Sequence, residues 1–217
     1  CRWLGQSLSK AIIFDFDGTL VDSEKAIYQC FQSITNYLAP KRIDYAKNIL
    51  IGPPLRDTAS EILGQNHQEK LDQFVKLFIE MHDEHVIKNT KPYPAVVETL
   101  DKLSSKGISM AVATNKRYAP TIKLINHFGW KSYFTSIECS DSQSQIRNKD
   151  EMIQEILKNN AFNEAFFVGD TVNDGLSANL NQLSFILARY GYGGDQDWSK
   201  INVRKDIQNF SEILHVI

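Results

Sequence analysis

The sequence predicts an α/β protein with a central parallel sheet and a small all-helical unit inserted after the first strand. Three observations lead there. Apolar runs of strand length recur along the chain, helix-period segments separate the later ones, and residues 22–91 carry helical stripes alone. Strands that alternate with helices form a parallel sheet covered on both faces, so each strand reads as a continuous apolar run. The 217 residues also exceed the roughly 100 to 150 of the commonest domain size, which leaves room for an insertion.

Residues 11–15 (AIIFD) read as a buried strand that ends in a carboxylate and feeds a turn at Gly18. Helical spacing follows, with Ile27, Cys30, Phe31, Ile34 and Leu38 at intervals of three and four and Asp22 or Ser23 placed as the cap. Gly52, Pro53 and Pro54 break the chain before a shorter helix over 55–63. A second long stripe runs through Leu71, Phe74, Val75, Phe78, Met81, His82 and His85, whose histidines read as helical core or interface residues. Residues 91–94 (KPYP) punctuate the exit, and a helix over 94–105 begins with Pro94 in its first turn. Strands over 108–114, 134–139, 165–170 and 184–188 then alternate with helices over 119–128, 149–158 and about 174–181. This places an α/β core at 1–21 and 92–217 and a helical cap at 22–91, with hinges near 20–23 and 90–94.

Charge narrows the function classes. Lys and Arg number 24 against 26 Asp and Glu, for a net −2 with no run of like charge. Such a balance leaves no basic excess or cluster by which proteins neutralise nucleic-acid phosphates or anionic lipid. No apolar stretch approaches the ~20 residues of a membrane span, and the first residues lack the apolar block of a secretory signal, so a cytoplasmic protein is expected. Cys1, Cys30 and Cys139 are far apart and odd in number, which suits inert thiols rather than zinc or a disulfide framework.

The chemistry concentrates in acids at strand ends. Asp15 and Asp17 close the first strand, Asp170 closes the run at 165–170, and Asp174 follows four residues on, where a helix carries it back toward Asp170. Carboxylates this close repel one another unless a cation or shared proton intervenes. Several of them converging on one sheet edge make a hard-oxygen site suited to Mg²⁺, which takes a few carboxylates, waters and a substrate phosphate.

Residues 15–20 (DFDGTL) resemble the first motif of the haloacid dehalogenase superfamily. Thr114 is similar to its second motif, Lys149 to its third and residues 169–174 (GDTVND) to its fourth, all in order, with 22–91 where that superfamily carries a type 1 helical cap. The resemblance implies a Rossmann-like core and phosphoryl chemistry on a small-molecule phosphate ester. Asp15 would attack phosphorus to give an aspartyl-phosphate, and Asp17 would protonate the leaving alkoxide and later deprotonate water. Mg²⁺ would bridge Asp15, Asp170, the backbone carbonyl of Asp17 and a phosphate oxygen, with Asp174 orienting a metal-bound water or a neighbouring ligand. Gly18 would relieve the turn beside the phosphate, and Thr114, the Asn115 N–H and Lys149 would meet phosphate oxygens.

Segments 51–55 (IGPPL), 113–116 (ATNK), 127–129 (HFG) and 190–193 (YGYG) resemble the phosphoglycolate phosphatase-like group. Arg56 and Lys116 are the candidate substrate contacts, and a monomer or weak dimer is expected. True dehalogenases of the superfamily lack an acid at the position of Asp17, which favours phosphoryl transfer. Alternative readings are β-phosphoglucomutase-like transfer and, outside catalysis, a phosphate-sensing or partner-binding module.

Overall fold

Alternate residues of the first strand, β1 (Lys10–Phe14), bury on opposite sides of a sheet: Ile12 and Phe14 in one apolar cluster, Ile13 in another. The computed structural model describes residues 10–143, 145–160 and 162–217. β1 pairs in parallel with β4 (Ser109–Thr114) on one edge and β6 (Glu164–Gly169) on the other. β5 (Phe134–Cys139) extends the sheet beyond β4, and β7 (Ser184–Ala188) and β8 (Val203–Ile207) extend it beyond β6, giving the order β5-β4-β1-β6-β7-β8. All of these pairings are parallel.

Helices α5 (Val96–Ser105) and α6 (Tyr118–His127) contribute Val96, Leu100, Leu103, Leu124 and Ile125 to the cluster on one face. On the other, α7 (Lys149–Asn159) supplies Met152, Ile153 and Ile156, and α8 (Val172–Leu180) supplies Ala178. A third cluster lies among the helices of the insertion: α1 (Glu24–Leu38), the single turn α2 (Ile43–Ala46), α3 (Leu55–Leu63) and α4 (Leu71–Asn89). Phe31 of α1 packs on Phe74 and Phe78 of α4, with ring centroids at 6.2 and 5.0 Å.

Several details differ from the sequence reading. β8 is a sixth strand that the apolar pattern does not announce, because Arg204, Lys205 and Asp206 sit in it; charges are tolerated at an edge paired on one side. The two chain segments joining insertion to core, β2 (Val21–Asp22) and β3 (Lys91–Pro92), pair with each other antiparallel. α5 starts at Val96, after Ala95 in a left-handed conformation (φ 64°), so Pro94 precedes the helix instead of opening it. Ser23 makes no side-chain cap for α1, while Asp22 Oδ1 accepts from the Glu24 N–H at 3.2 Å. Cys30 and Cys139 are free and buried, and Cys1 lies outside the described residues. No helix among the described residues is long and apolar enough to cross a membrane.

Candidate active site

The sheet order reverses around β1, the first strand in the chain, with β4 and β5 on one side and β6 to β8 on the other. Such a switch point opens a crevice at the carboxyl ends of the strands. Here the ends of β4, β1 and β6 deliver Thr114, Asp15 and Asp170 side by side. Asp15 is 5% exposed, Asp170 1% and Asp174 0%, and one ligand oxygen from each lies within 4.8 Å of the others.

Asp174 reaches this cluster because α8 begins beside it. Thr171 and Asp174 form the reciprocal cap of that helix, and Asp174 Oδ2 accepts from the Asp170 N–H at 3.2 Å, the Thr171 N–H at 2.9 Å and Thr171 Oγ1 at 2.7 Å. Its other oxygen accepts from Lys149. Lys149 opens α7 behind the Asn148 and Glu151 capping box, and its buried Nζ also donates to Asp15 Oδ1 at 2.7 Å.

Burial, with Asp174 adding to it and Lys149 opposing it, pushes the Asp15 carboxyl up to about 7. Burial and then Asp174 and Asp15 raise Asp170 well above the usual carboxylate range. Burial acts to lower Lys149, but Asp15 and Asp174 outweigh it and raise it. Three carboxylates thus face one lysine, a cluster short of positive charge whose hard-oxygen donors fit a divalent cation. The chain is shaped around this cluster. Gly18 has φ 84°, and a Cβ there would lie 2.2 Å from Asp170 Oδ2. A Cβ at Gly191 would lie 2.3 Å from the Asp170 Cβ.

Asp17 sits in a different setting. Both its oxygens accept from Lys116 Nζ at 3.1 Å, and Oδ1 also accepts from Ser23 Oγ at 2.6 Å. Asp15, Asp17, Thr114, Asn115 and Lys116 line one cavity of about 80 Å³, whose other side is lined by residues of the helical insertion. Asn115 Nδ2 donates to the Gly52 carbonyl at 2.8 Å, tying the β4 loop to the helical insertion, and Thr114 Oγ1 accepts from the Lys116 N–H at 3.2 Å. Arg56 is not brought there. It pairs with Asp72 at 2.8 Å with 53% of its side chain exposed, because it lies on the outer face of α3.

A scan against protein families matches residues 12–188 to the haloacid dehalogenase-like hydrolase model. The chain belongs to the haloacid dehalogenase-like hydrolases. It is 28% identical to a phosphoglycolate phosphatase of Psychrobacter arcticus, over 94% of this chain and 93% of that one. It is 30% identical to a phosphoglycolate phosphatase of Agrobacterium fabrum, over 85% and 82%. A haloacid dehalogenase-like family hydrolase of Streptococcus pneumoniae shares the fold, with a TM-score of 0.80, 22% identity, and 95% and 97% of the two chains covered. This family member is an enzyme, a phosphatase.

Three residues that touch the candidate site were not singled out for it by the sequence. His82 is buried, stacks on Phe78 at 5.2 Å, and sets Nε2 3.4 Å from Lys116 Nζ; its place on an apolar stripe hides its orientation toward the cavity. Tyr192 donates its N–H to Asp170 Oδ2 at 2.7 Å and accepts at its hydroxyl from the Ser23 N–H at 2.9 Å. Ser23 reads as a helix cap yet serves Asp17. The YGYG segment was the available signal for Tyr192; nothing local marks His82.

Proposed function

We propose that this enzyme is a Mg²⁺-dependent phosphomonoester hydrolase that works through an aspartyl-phosphate on Asp15. The observation that carries this reading is the contrast between Asp15 and Asp17. Two carboxylates two residues apart line one cavity, one fixed by Lys149 among buried acids and the other by Lys116 and Ser23. Different surroundings give two carboxyl groups different roles.

An Asp15 oxygen would attack phosphorus as the bond to the ester oxygen breaks. Asp17 would give its proton to the departing alkoxide, then take one from the water that cleaves the acyl phosphate, which returns both side chains to their starting forms. Lys149 holds one Asp15 oxygen, which aims the other. The Thr114 hydroxyl and Asn115 N–H would donate to phosphate oxygens as charge shifts onto them, with Gly18 leaving room for the backbone nearby. Asp15, Asp170 and the Asp17 carbonyl would hold Mg²⁺, which when bound would relieve repulsion between nucleophile and phosphate. Asp174, its oxygens already engaged by backbone N–H groups and Lys149, would orient that shell from behind. Lys116 would contact substrate from its place at Asp17. Residues 22–91 would act as the cap that excludes water from the core at 1–21 and 92–217.

The deciding experiment is phosphate release from p-nitrophenyl phosphate with Mg²⁺, with EDTA, and by Asp15→Asn. Turnover is expected only for the wild type with metal; equal rates in all three would discard the reading.

A further inference from the structure

The loop after β7 touches both halves of the site through one residue. Tyr192 gives its backbone N–H to Asp170 Oδ2, and its hydroxyl accepts the Ser23 N–H at 2.9 Å. Glycines on either side press this loop onto Asp170: a Cβ at Gly191 would overlap the Asp170 Cβ, and one at Gly193 would overlap the Asp170 carbonyl oxygen. The Tyr192 ring also packs against the apolar cluster of the inserted helices. Backbone and ring together fix where the hydroxyl stands.

The protons around that hydroxyl can be assigned. Ser23 Oγ has one proton, and Asp17 Oδ1 takes it at 2.6 Å, because an ionised carboxylate only accepts. The 3.2 Å contact between Ser23 Oγ and the Tyr192 hydroxyl therefore uses the Tyr192 proton. A second acceptor in reach, the Val21 carbonyl, is farther off at 3.4 Å and already accepts from the Gly18 N–H at 2.9 Å. Burial, then Asp17 and Tyr93, push the Tyr192 phenol up, so it keeps its proton at neutral pH. Donation thus runs one way, from Tyr192 to Ser23 to Asp17 Oδ1. The two Asp17 oxygens differ as a result: Oδ1 accepts from both Ser23 and Lys116, whereas Oδ2, among the described residues, accepts from Lys116 alone.

Resting on the phosphomonoesterase reading above, we infer that Tyr192 is a positioning residue for Asp17: by donating to Ser23 it keeps Oδ1 an acceptor and confines the transferable proton to Oδ2. As the bond from phosphorus to an alkyl leaving group breaks, that proton passes from Oδ2 to the departing ester oxygen. Oδ2 regains a proton from the water that attacks the acyl phosphate. Without the Tyr192 hydroxyl, Ser23 Oγ is free to turn its own proton away and accept one from Asp17 Oδ1, which withdraws that proton from the substrate.

The test is kcat/KM, with Mg²⁺, of the wild type, Tyr192→Phe, Ser23→Ala and the double variant for n-propyl phosphate and p-nitrophenyl phosphate. This constant reports the steps up to the acyl phosphate, in which the alkoxide needs a proton and the nitrophenolate does not. Phe keeps the ring packing and the backbone bond to Asp170, and the ratio of the two substrates is read in one preparation, so a lower folded fraction cancels. Tyr192→Phe is expected to lower the ratio of propyl to p-nitrophenyl phosphate about fivefold, the effect of one neutral hydrogen bond. In the Ser23→Ala background the same substitution is expected to leave the ratio where Ser23→Ala alone puts it, since the relay is already cut. An unchanged ratio in Tyr192→Phe, or a further fivefold fall in the double variant, overturns the role of Tyr192 and leaves the phosphatase reading standing. Failure of the wild type to turn over either ester overturns both.

Discussion

Asp17 is held by two residues that the carboxylate pattern does not reveal. Ser23 Oγ donates to it at 2.6 Å and Lys116 pairs with both its oxygens, so its orientation depends on the first residue before α1 and on the loop after β4. Removing one such hydrogen bond to a charged group costs about 1.5 kcal/mol, or roughly tenfold in rate if it is felt in proton transfer. Ser23→Ala is therefore expected to lower kcat about tenfold for an alkyl phosphate with KM little changed, and to cost less for an aryl phosphate whose leaving group needs no proton. Equal losses on both substrates would show a merely structural role. His82 gives a second prediction. Burial and Lys116 depress it below 6.5, so the unfolded chain binds the proton more readily, and stability present above pH 6.5 is lost as pH falls through the lower folded value. As pH falls below 6.5, Tm should drop more steeply in the wild type than in His82→Gln, whose amide can still accept from Lys116. Parallel Tm profiles would exclude His82 as the source. At this scale the acids, Thr114 and Lys149 were legible because each ends a strand or opens a helix, whereas the partners of Asp17 lie six and 99 residues away in sequence.

Between elements, α4 and α6 are joined by a small polar junction. Asp83 of α4 accepts from Arg117 through both oxygens, its backbone carbonyl accepts from Lys123 Nζ at 2.9 Å, and burial of Asp83 is outweighed by His82 and Arg117, which lower its carboxyl. Side chains exposed by 22% and 30% remain partly solvated, so a double-mutant cycle of Arg117→Ala and Asp83→Ala should give a coupling of only about 0.5 to 1 kcal/mol. A coupling of several kcal/mol would mean that the junction is sealed from water. The antiparallel β2–β3 pair is the other link, and it arises where the sequence shows only a proline-rich exit. Long helices were readable from their stripes, since α1, α3 and α4 each bury one face against the others. β8 was not, since a strand at an edge needs apolar residues only where it touches its neighbour.

Taken as a whole, the molecule concentrates negative charge at the centre of a near-neutral chain. Asp15, Asp170 and Asp174 oppose a single buried lysine, so a divalent cation that binds the folded form alone must stabilise it. At about 100 times its Kd, Mg²⁺ should add about 2.7 kcal/mol, or roughly 5 to 10 °C in Tm for a chain of this size. Asp170→Asn should abolish that shift, and an equal shift in this variant would place the ion elsewhere. The sequence by itself determined the α/β architecture and which acids and lysine stand at its strand ends and helix starts, because strand and helix periods are local and a parallel sheet brings successive strand ends to one edge. Only the tertiary structure decided that Arg56 faces solvent and that Lys116 and His82 meet at Asp17. Those facts depend on how the inserted helices rotate and dock on the core, which is set by packing between residues far apart in the chain.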